Sequence, residues 1–195
     1  MFRAFIAIEL SAELKRLISE LQAELKRGIP EMVAVSWIRP EAMHLTLRFL
    51  GDIEESQVEP ITNVLQIGAA PLRPFTLEAR GVGGFPTPAR ARVLWVGLSG
   101  DDEGMGALRD LQTTIEEGVV EMGCVREDRP FTPHLTLARI KDGRASGPVR
   151  RLLMNESDRR IGEFHAGAVS LIKSEPRPTG SVYTSVVEVP FGVQV

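Results

Sequence analysis

The chain has 195 residues, 43% of them hydrophobic, and a formal net charge of −3. That is enough apolar material to bury a core as one domain or two small lobes, and the acidic balance excludes broad coating of a nucleic-acid backbone, which needs clustered positive charge. The lone Cys124 excludes an internal disulfide and fits a reducing compartment.

The first ten residues, Met1-Phe2-Arg3-Ala4-Phe5-Ile6-Ala7-Ile8-Glu9-Leu10, read as a strand. Their apolar run is too short and too interrupted by charge for a signal peptide or a membrane span, so the expectation is cytoplasmic residence with no membrane partner. Ser11 caps a helix on which Leu14, Leu17, Ile18, Leu21 and Leu25 keep helical spacing, and Lys26, Arg27 and Gly28 close it. Residues 35–39 are extended. Residues 54–67 carry a helical pattern that Pro60 shortens or kinks. Residues 75–82 read as a strand, and the glycine- and proline-rich stretch 81–88 as a loop that lets backbone approach something closely. A strand over 92–99 precedes a helix that starts at Asp101 or Asp102, runs to about Met122 and ends at Gly123. Residues 164–172 and 182–189 read as strands.

Two segments stand apart from this ordinary patterning. His44-Leu45-Thr46-Leu47-Arg48-Phe49 and His134-Leu135-Thr136-Leu137-Ala138-Arg139 lie 90 residues apart, and each follows a strand and a helix. Chance does not easily repeat both a motif and its setting, so the order strand, helix, strand points to an internal duplication with pseudo-two-fold symmetry. Side chains alternate along a strand, so His44 and Thr46 share one face while Leu45, Leu47 and Phe49 face the core. His134 and Thr136 do the same in the second copy. Each strand then offers an imidazole and a hydroxyl about 6.6 Å apart, at roughly 3.3 Å of rise per residue.

The other routes to histidine chemistry lack their signatures. No His-Glu-x-x-His or Cys-x-x-Cys spacing offers a zinc ligand set, and no Gly-x-Ser-x-Gly offers a nucleophile. His165 has no threonine two residues on and reads as a structural or surface residue. Two imidazoles near neutral pH can instead serve as general base and general acid across one reacting centre, with no metal and no cofactor. Phosphoryl transfer suits such a pair. Thr46 and Thr136 would donate to non-bridging phosphate oxygens, and an arginine would neutralise the charge that grows in the transition state.

At these residues the sequence resembles the 2H phosphoesterases, defined by two His-x-Thr motifs, and more narrowly their RNA 2′,3′-cyclic phosphodiesterase branch, also called 2′-5′ RNA ligase-like. The resemblance rests on Phe5-Ile6-Ala7-Ile8, on His44 through Gly51, on Gly84-Phe85-Pro86, on Arg92-Val93-Leu94-Trp95 and on Pro133 through Arg139. In the tail Ser174, Gly180 and Tyr183 fit the family pattern, whereas Pro176 stands where the family often has leucine. The resemblance implies an α+β, two-lobed, internally duplicated fold over residues 1–195 as a single domain. Each lobe would be an antiparallel sheet with helices on the outside and the cleft between the sheets. It implies a metal-independent enzyme, a substrate class of RNA or nucleotides ending in a 2′,3′-cyclic phosphate, and a 2′-phosphomonoester product. His134 would activate water and His44 would protonate the leaving 3′ oxygen, although the two roles can be exchanged. Arg139 matches the family's phosphate-contacting arginine, yet strict alternation puts it on the face opposite His134 and Thr136 unless a bulge turns it inward. Arg48 has the parity of the pocket and is the reserve candidate. Phe49, Trp95 and Tyr183 are the available base-stacking surfaces. The expected state is a monomer. 2′-5′ ligation as the main activity and a non-catalytic nucleotide- or RNA-binding module are the competing readings.

Overall fold

A computed structural model describes residues 1–141, 147–177 and 180–192. Among these residues nine strands and four helices follow one another as β1 (Phe2–Glu9), α1 (Ala12–Gly28), β2 (Val35–Trp37), β3 (His44–Ile53), α2 (Val58–Ala69), β4 (Phe75–Phe85), β5 (Val93–Ser99), α3 (Asp102–Glu121), β6 (His134–Ile140), α4 (Gly147–Asn155), β7 (Arg160–Ala166), β8 (Ala168–Glu175) and β9 (Val182–Pro190). The strands pair antiparallel in the order β7-β4-β5-β6-β3-β1-β8-β9, with β2 pairing β6 next to β3, on the edge away from β5. The sheet is therefore two four-stranded halves, β6-β5-β4-β7 and β3-β1-β8-β9, related by a pseudo-two-fold. Only one residue pair, Leu45 with Leu135, joins β3 to β6. These leucines occupy equivalent places in the two repeats, so the symmetry passes through this seam. The two antiparallel sheets expected from the resemblance are present, run into one another at this point.

Local chemistry explains the elements that position the seam. Ser11 caps α1 through its side chain, which accepts from the Leu14 amide at 3.2 Å, and Asp101 caps α3 by accepting from the Gly104 amide at 2.8 Å. Gly123, at φ +95°, takes the left-handed conformation that ends α3. Gly28 instead belongs to α1, which ends on an extended Ile29 rather than a left-handed glycine, and it lies against the Leu152 side chain. Pro60 falls in the first turn of α2, where a missing amide hydrogen costs nothing, and the helix runs on past it to Ala69. Leu14, Ile18, Leu21 and Leu25 of α1 and Leu108, Leu111, Ile115 and Val119 of α3 are buried against one face of the sheet, beside Ile6, Ile8, Leu45, Leu94, Val96 and Leu135. The other face of the sheet is open.

Two further sequence expectations change, and one helix is unanticipated. The stretch 81–88 is not a loop throughout, because β4 continues to Phe85. Its glycines make room for an aromatic ring: a Cβ on Gly83 would stand 2.2 Å from the Trp95 indole. The expected strand over 164–172 is two strands that break at Gly167 and pair at opposite ends of the sheet, β7 with β4 and β8 with β1. The helix α4 is not legible in the sequence, being only nine residues long with two buried side chains, Val149 and Leu153.

The Gly83 contact yields a stability test. Overpacking of this kind costs about 1–3 kcal/mol. Gly83→Ala should therefore lower the melting temperature by several degrees, as followed by thermal circular dichroism.

Candidate active site

In the ladder between β1 and β3, Glu9 pairs with His44, Ile8 with Leu45 and Ala7 with Thr46, but Ile6 pairs with Arg48 and Phe5 with Phe49. Leu47 has no partner of its own, so a β-bulge sits immediately after the His-x-Thr motif. The second copy repeats it: Gly97 pairs with His134, Val96 with Leu135 and Trp95 with Thr136, whereas Leu94 pairs with Ala138 and Val93 with Arg139, leaving Leu137 as the extra residue. A bulge of one residue reverses the face of everything beyond it. His44, Thr46 and Phe49 consequently share the open face with His134, Thr136 and Arg139.

Three expectations about parity are decided by these bulges. Arg139 reaches the face of His134 and Thr136, because the bulge that alternation required is present. Phe49 does not face the core; it is 58% exposed on the open face. Arg48 does not face the pocket. It passes to the helix-covered side, where its Nε lies 2.7 Å from Oε2 of Glu116 on α3, with both side chains about nine-tenths buried. Its guanidinium also donates to the carbonyls of Val125 and, at 3.1 Å, Phe49. Arg48 thus fastens the end of the first bulge to α3 and to the segment that leads into His134.

Each imidazole sits in an aromatic setting. His44 stacks on Phe5 with ring centroids 4.4 Å apart and meets Tyr183 edge-on at 5.2 Å. Phe5 in turn contacts Phe49 at 5.9 Å and belongs with Ala7 and Ile172 to a small apolar cluster on the open face. His134 meets Phe85 edge-on at 4.9 Å and Trp95 at 6.5 Å. Trp95 therefore forms the floor beside His134, and Tyr183 and Phe49 form the wall around His44. Arg39 holds the start of the Tyr183 strand by donating to the Ser181 carbonyl at 3.1 Å, while residues 178 and 179 of the same tail lie outside the described residues.

Burial controls the charge of both histidines. It pushes His44 down to about 4, against the opposing pull of the Ala42 carbonyl and with a smaller contribution from the Lys15 ammonium. Burial also lowers His134, opposed by the Thr132 carbonyl and helped by the Arg139 charge. His134 Nδ1 lies 2.7 Å from the Thr132 carbonyl, which can only accept, so Nδ1 carries the proton and Nε2 of the neutral ring presents a lone pair. A cavity of about 90 Å³ beside His44 is lined by Glu9, Lys15, Glu41, Tyr183 and Ser185. Among the described residues, no three His, Cys, Asp or Glu side chains converge as a metal ligand set. His165 lies away from this site, exposed on β7, with its Nδ1 2.9 Å from the Thr76 hydroxyl and its Nε2 3.5 Å from Glu163.

The model of the family described as LigT like Phosphoesterase matches the chain over residues 8–95 and again over residues 99–183, one match for each His-x-Thr repeat. The chain belongs to this family. Among LigT-like relatives, an RNA 2′,3′-cyclic phosphodiesterase of Methanothermobacter thermautotrophicus is 33% identical over 184 residues, which cover 94% of this chain and 96% of that protein. Another of the same name from Aquifex aeolicus is 34% identical over 158 residues, covering 80% of this chain and 81% of that one. Among solved structures, TT0787 of Thermus thermophilus superposes with a TM-score of 0.75 at 27% identity, covering 97% of this chain and 98% of that chain. The fold is also that of E. coli LigT complexed with 3′-AMP, with a TM-score of 0.74 at 24% identity and coverage of 97% and 98%.

The buried Arg48–Glu116 pair separates a positioning role from a substrate contact. Removing one partner of a buried pair strands a charge at a cost of about 3–5 kcal/mol, whereas replacing both by apolar groups is often neutral. Arg48→Met should lower the melting temperature markedly, and Arg48→Met combined with Glu116→Leu should recover most of the loss in the same thermal melt.

Proposed function

We propose that this LigT-like protein hydrolyses the 2′,3′-cyclic phosphate ends of RNA to 2′-phosphomonoesters, with its two motif histidines as general base and general acid and without a metal. The observation that carries the reading is the convergence of both His-x-Thr pairs and Arg139 on one open face: alternation and the Leu45–Leu135 seam place the pairs there, and the bulge in β6 adds Arg139. The names of the relatives support the substrate class.

In this reading the phosphorus lies between the imidazoles. His134 Nε2 takes a proton from water, whose oxygen attacks phosphorus, and the P–O3′ bond breaks as His44 gives its proton to the departing 3′ oxygen. The 2′ ester is retained, and one proton taken is matched by one given. Two features support these roles. Burial and the Arg139 charge favour a neutral His134, and the Thr132 carbonyl, by engaging the proton on Nδ1, leaves Nε2 as the accepting atom. The Phe5 face, stacked on His44, favours a protonated His44 once the anionic phosphodiester is bound. Thr46 and Thr136 donate to the non-bridging oxygens, and Arg139 balances the charge that develops there. Phe49 and Tyr183 offer aromatic surface to the terminal base.

The direct test supplies an RNA oligonucleotide ending in 2′,3′-cyclic phosphate, with EDTA present, and identifies the product. The expected product is the 2′-phosphate, and His44→Ala and His134→Ala should each lower kcat/KM by about 10²–10⁴-fold. Unchanged substrate with tight binding would support a binding module instead, and loss of turnover in EDTA that zinc restores would contradict the metal-free chemistry.

The pH dependence follows from burial. The acid must be protonated and the base neutral, and both imidazoles of the free protein ionise below the ordinary value of 6.5, His44 near 4. The protonated fraction of the acid is lost as pH rises through its lowered pKa, so kcat/KM should be bell-shaped with its maximum below pH 6.5. In kcat the bell should move to higher pH, because the bound phosphate favours imidazolium. Initial rates from about pH 4 to 9 check both, and a flat profile would contradict paired acid-base catalysis.

A further inference from the structure

The two bulges are held by different side chains, and the one in β6 points to a residue outside the open face. Gln22 of α1 is among the few buried polar residues, 3% exposed, and it sits between Ile18, Leu21 and Leu25. Its Nε2 donates to the carbonyl of Ile38 at 2.8 Å and to that of Leu137 at 3.0 Å. Leu137 is the extra residue of the bulge, and its carbonyl also accepts from the Ile38 amide at 2.9 Å. Both partners of Gln22 are acceptors only, so the amide must present its two N–H bonds to them. One side chain therefore ties the end of β2 to the bulge in β6, close to the seam where the halves of the sheet share a single residue pair.

We propose that Gln22 is a positioning residue for the reaction: by holding the Leu137 carbonyl it fixes the bulge and so keeps Arg139 on the face of His134 and Thr136. The proposal rests on the reading of Arg139 as the group that meets the phosphate. Without the Gln22 amide the Ile38 carbonyl loses its donor and the Leu137 carbonyl loses one of two. β6 is then free to slip toward regular alternation, which would return Arg139 to the helix-covered side. Gln22 touches neither substrate nor either histidine. Its effect on rate passes through Arg139.

The test is a double-mutant cycle read in kcat/KM on an RNA ending in 2′,3′-cyclic phosphate. Gln22→Leu removes both donors at similar volume, and Gln22→Asn keeps an amide too short to span the two carbonyls; thermal melts select whichever variant remains folded at the assay temperature. Either should lower kcat/KM about 10- to 100-fold. In an Arg139→Ala background, the same Gln22 change should cost less than about threefold, because the group it positions is already gone. A merely structural Gln22 would give losses that multiply, and that result, or a Gln22 variant with wild-type kcat/KM, would overturn the proposal while leaving Arg139 in its role. An Arg139→Ala protein with undiminished kcat/KM would overturn the role of Arg139, and this proposal with it.

Discussion

Side-chain alternation is the constraint on which this site depends. Along a regular strand a histidine and a threonine two residues on share a face, but the residue five positions from the histidine does not. One residue inserted directly after the motif in each His strand lifts that restriction and brings Phe49 and Arg139 beside the motifs that precede them. A bulge leaves backbone groups out of the ladder, and in a buried setting those groups need partners. The two halves meet that need differently. At β3 a buried ion pair, Arg48 with Glu116, anchors the residue just beyond the bulge. At β6 the neutral amide of Gln22 bonds the bulge carbonyl itself.

The pseudo-two-fold gives two equivalent imidazoles, and acid-base chemistry needs two unlike ones. The departures from symmetry lie in the residues around them. Phe49 occupies the place of Arg139, Phe5 that of Val93, and Ala7 that of Trp95, as the matched registers show. The His44 side is consequently aromatic and uncharged at this position, and the His134 side carries a cation. In the proposed reaction the cation meets the phosphate and the aromatic side meets the base, so one duplicated scaffold binds an asymmetric substrate in one orientation.

Much of this is legible in the sequence. The caps at Ser11 and Asp101, the amphipathic faces of α1 and α3 and the displaced repeat all follow from local chemistry and periodicity. The faces of His44, Thr46, His134 and Thr136 need only alternation. What fails is alternation carried past the bulges: it sends Phe49 to the core and Arg48 to the pocket, and the structure reverses both. Nothing in Leu47 or Leu137 marks a bulge, since it depends on pairing with β1 and β5 and on anchors from distant helices. Arg139 is recoverable only as a requirement, stated by its clash with alternation. Gln22 carries a clearer signal: a polar residue within an otherwise apolar helical stripe must find a partner when buried. The two strands of residues 164–172 escape the sequence for a similar reason, because Gly167 breaks them only in the light of where each half pairs.

The most direct measurement of the central claim is a crystal structure of the protein with a nucleoside 2′-monophosphate, the product of the proposed reaction. The account predicts the phosphate between the imidazoles of His44 and His134, bonded by Thr46, Thr136 and Arg139, with the base against Phe49 or Tyr183. A phosphate bound away from either histidine, or an Arg139 turned to the helix-covered side in the complex, would contradict it.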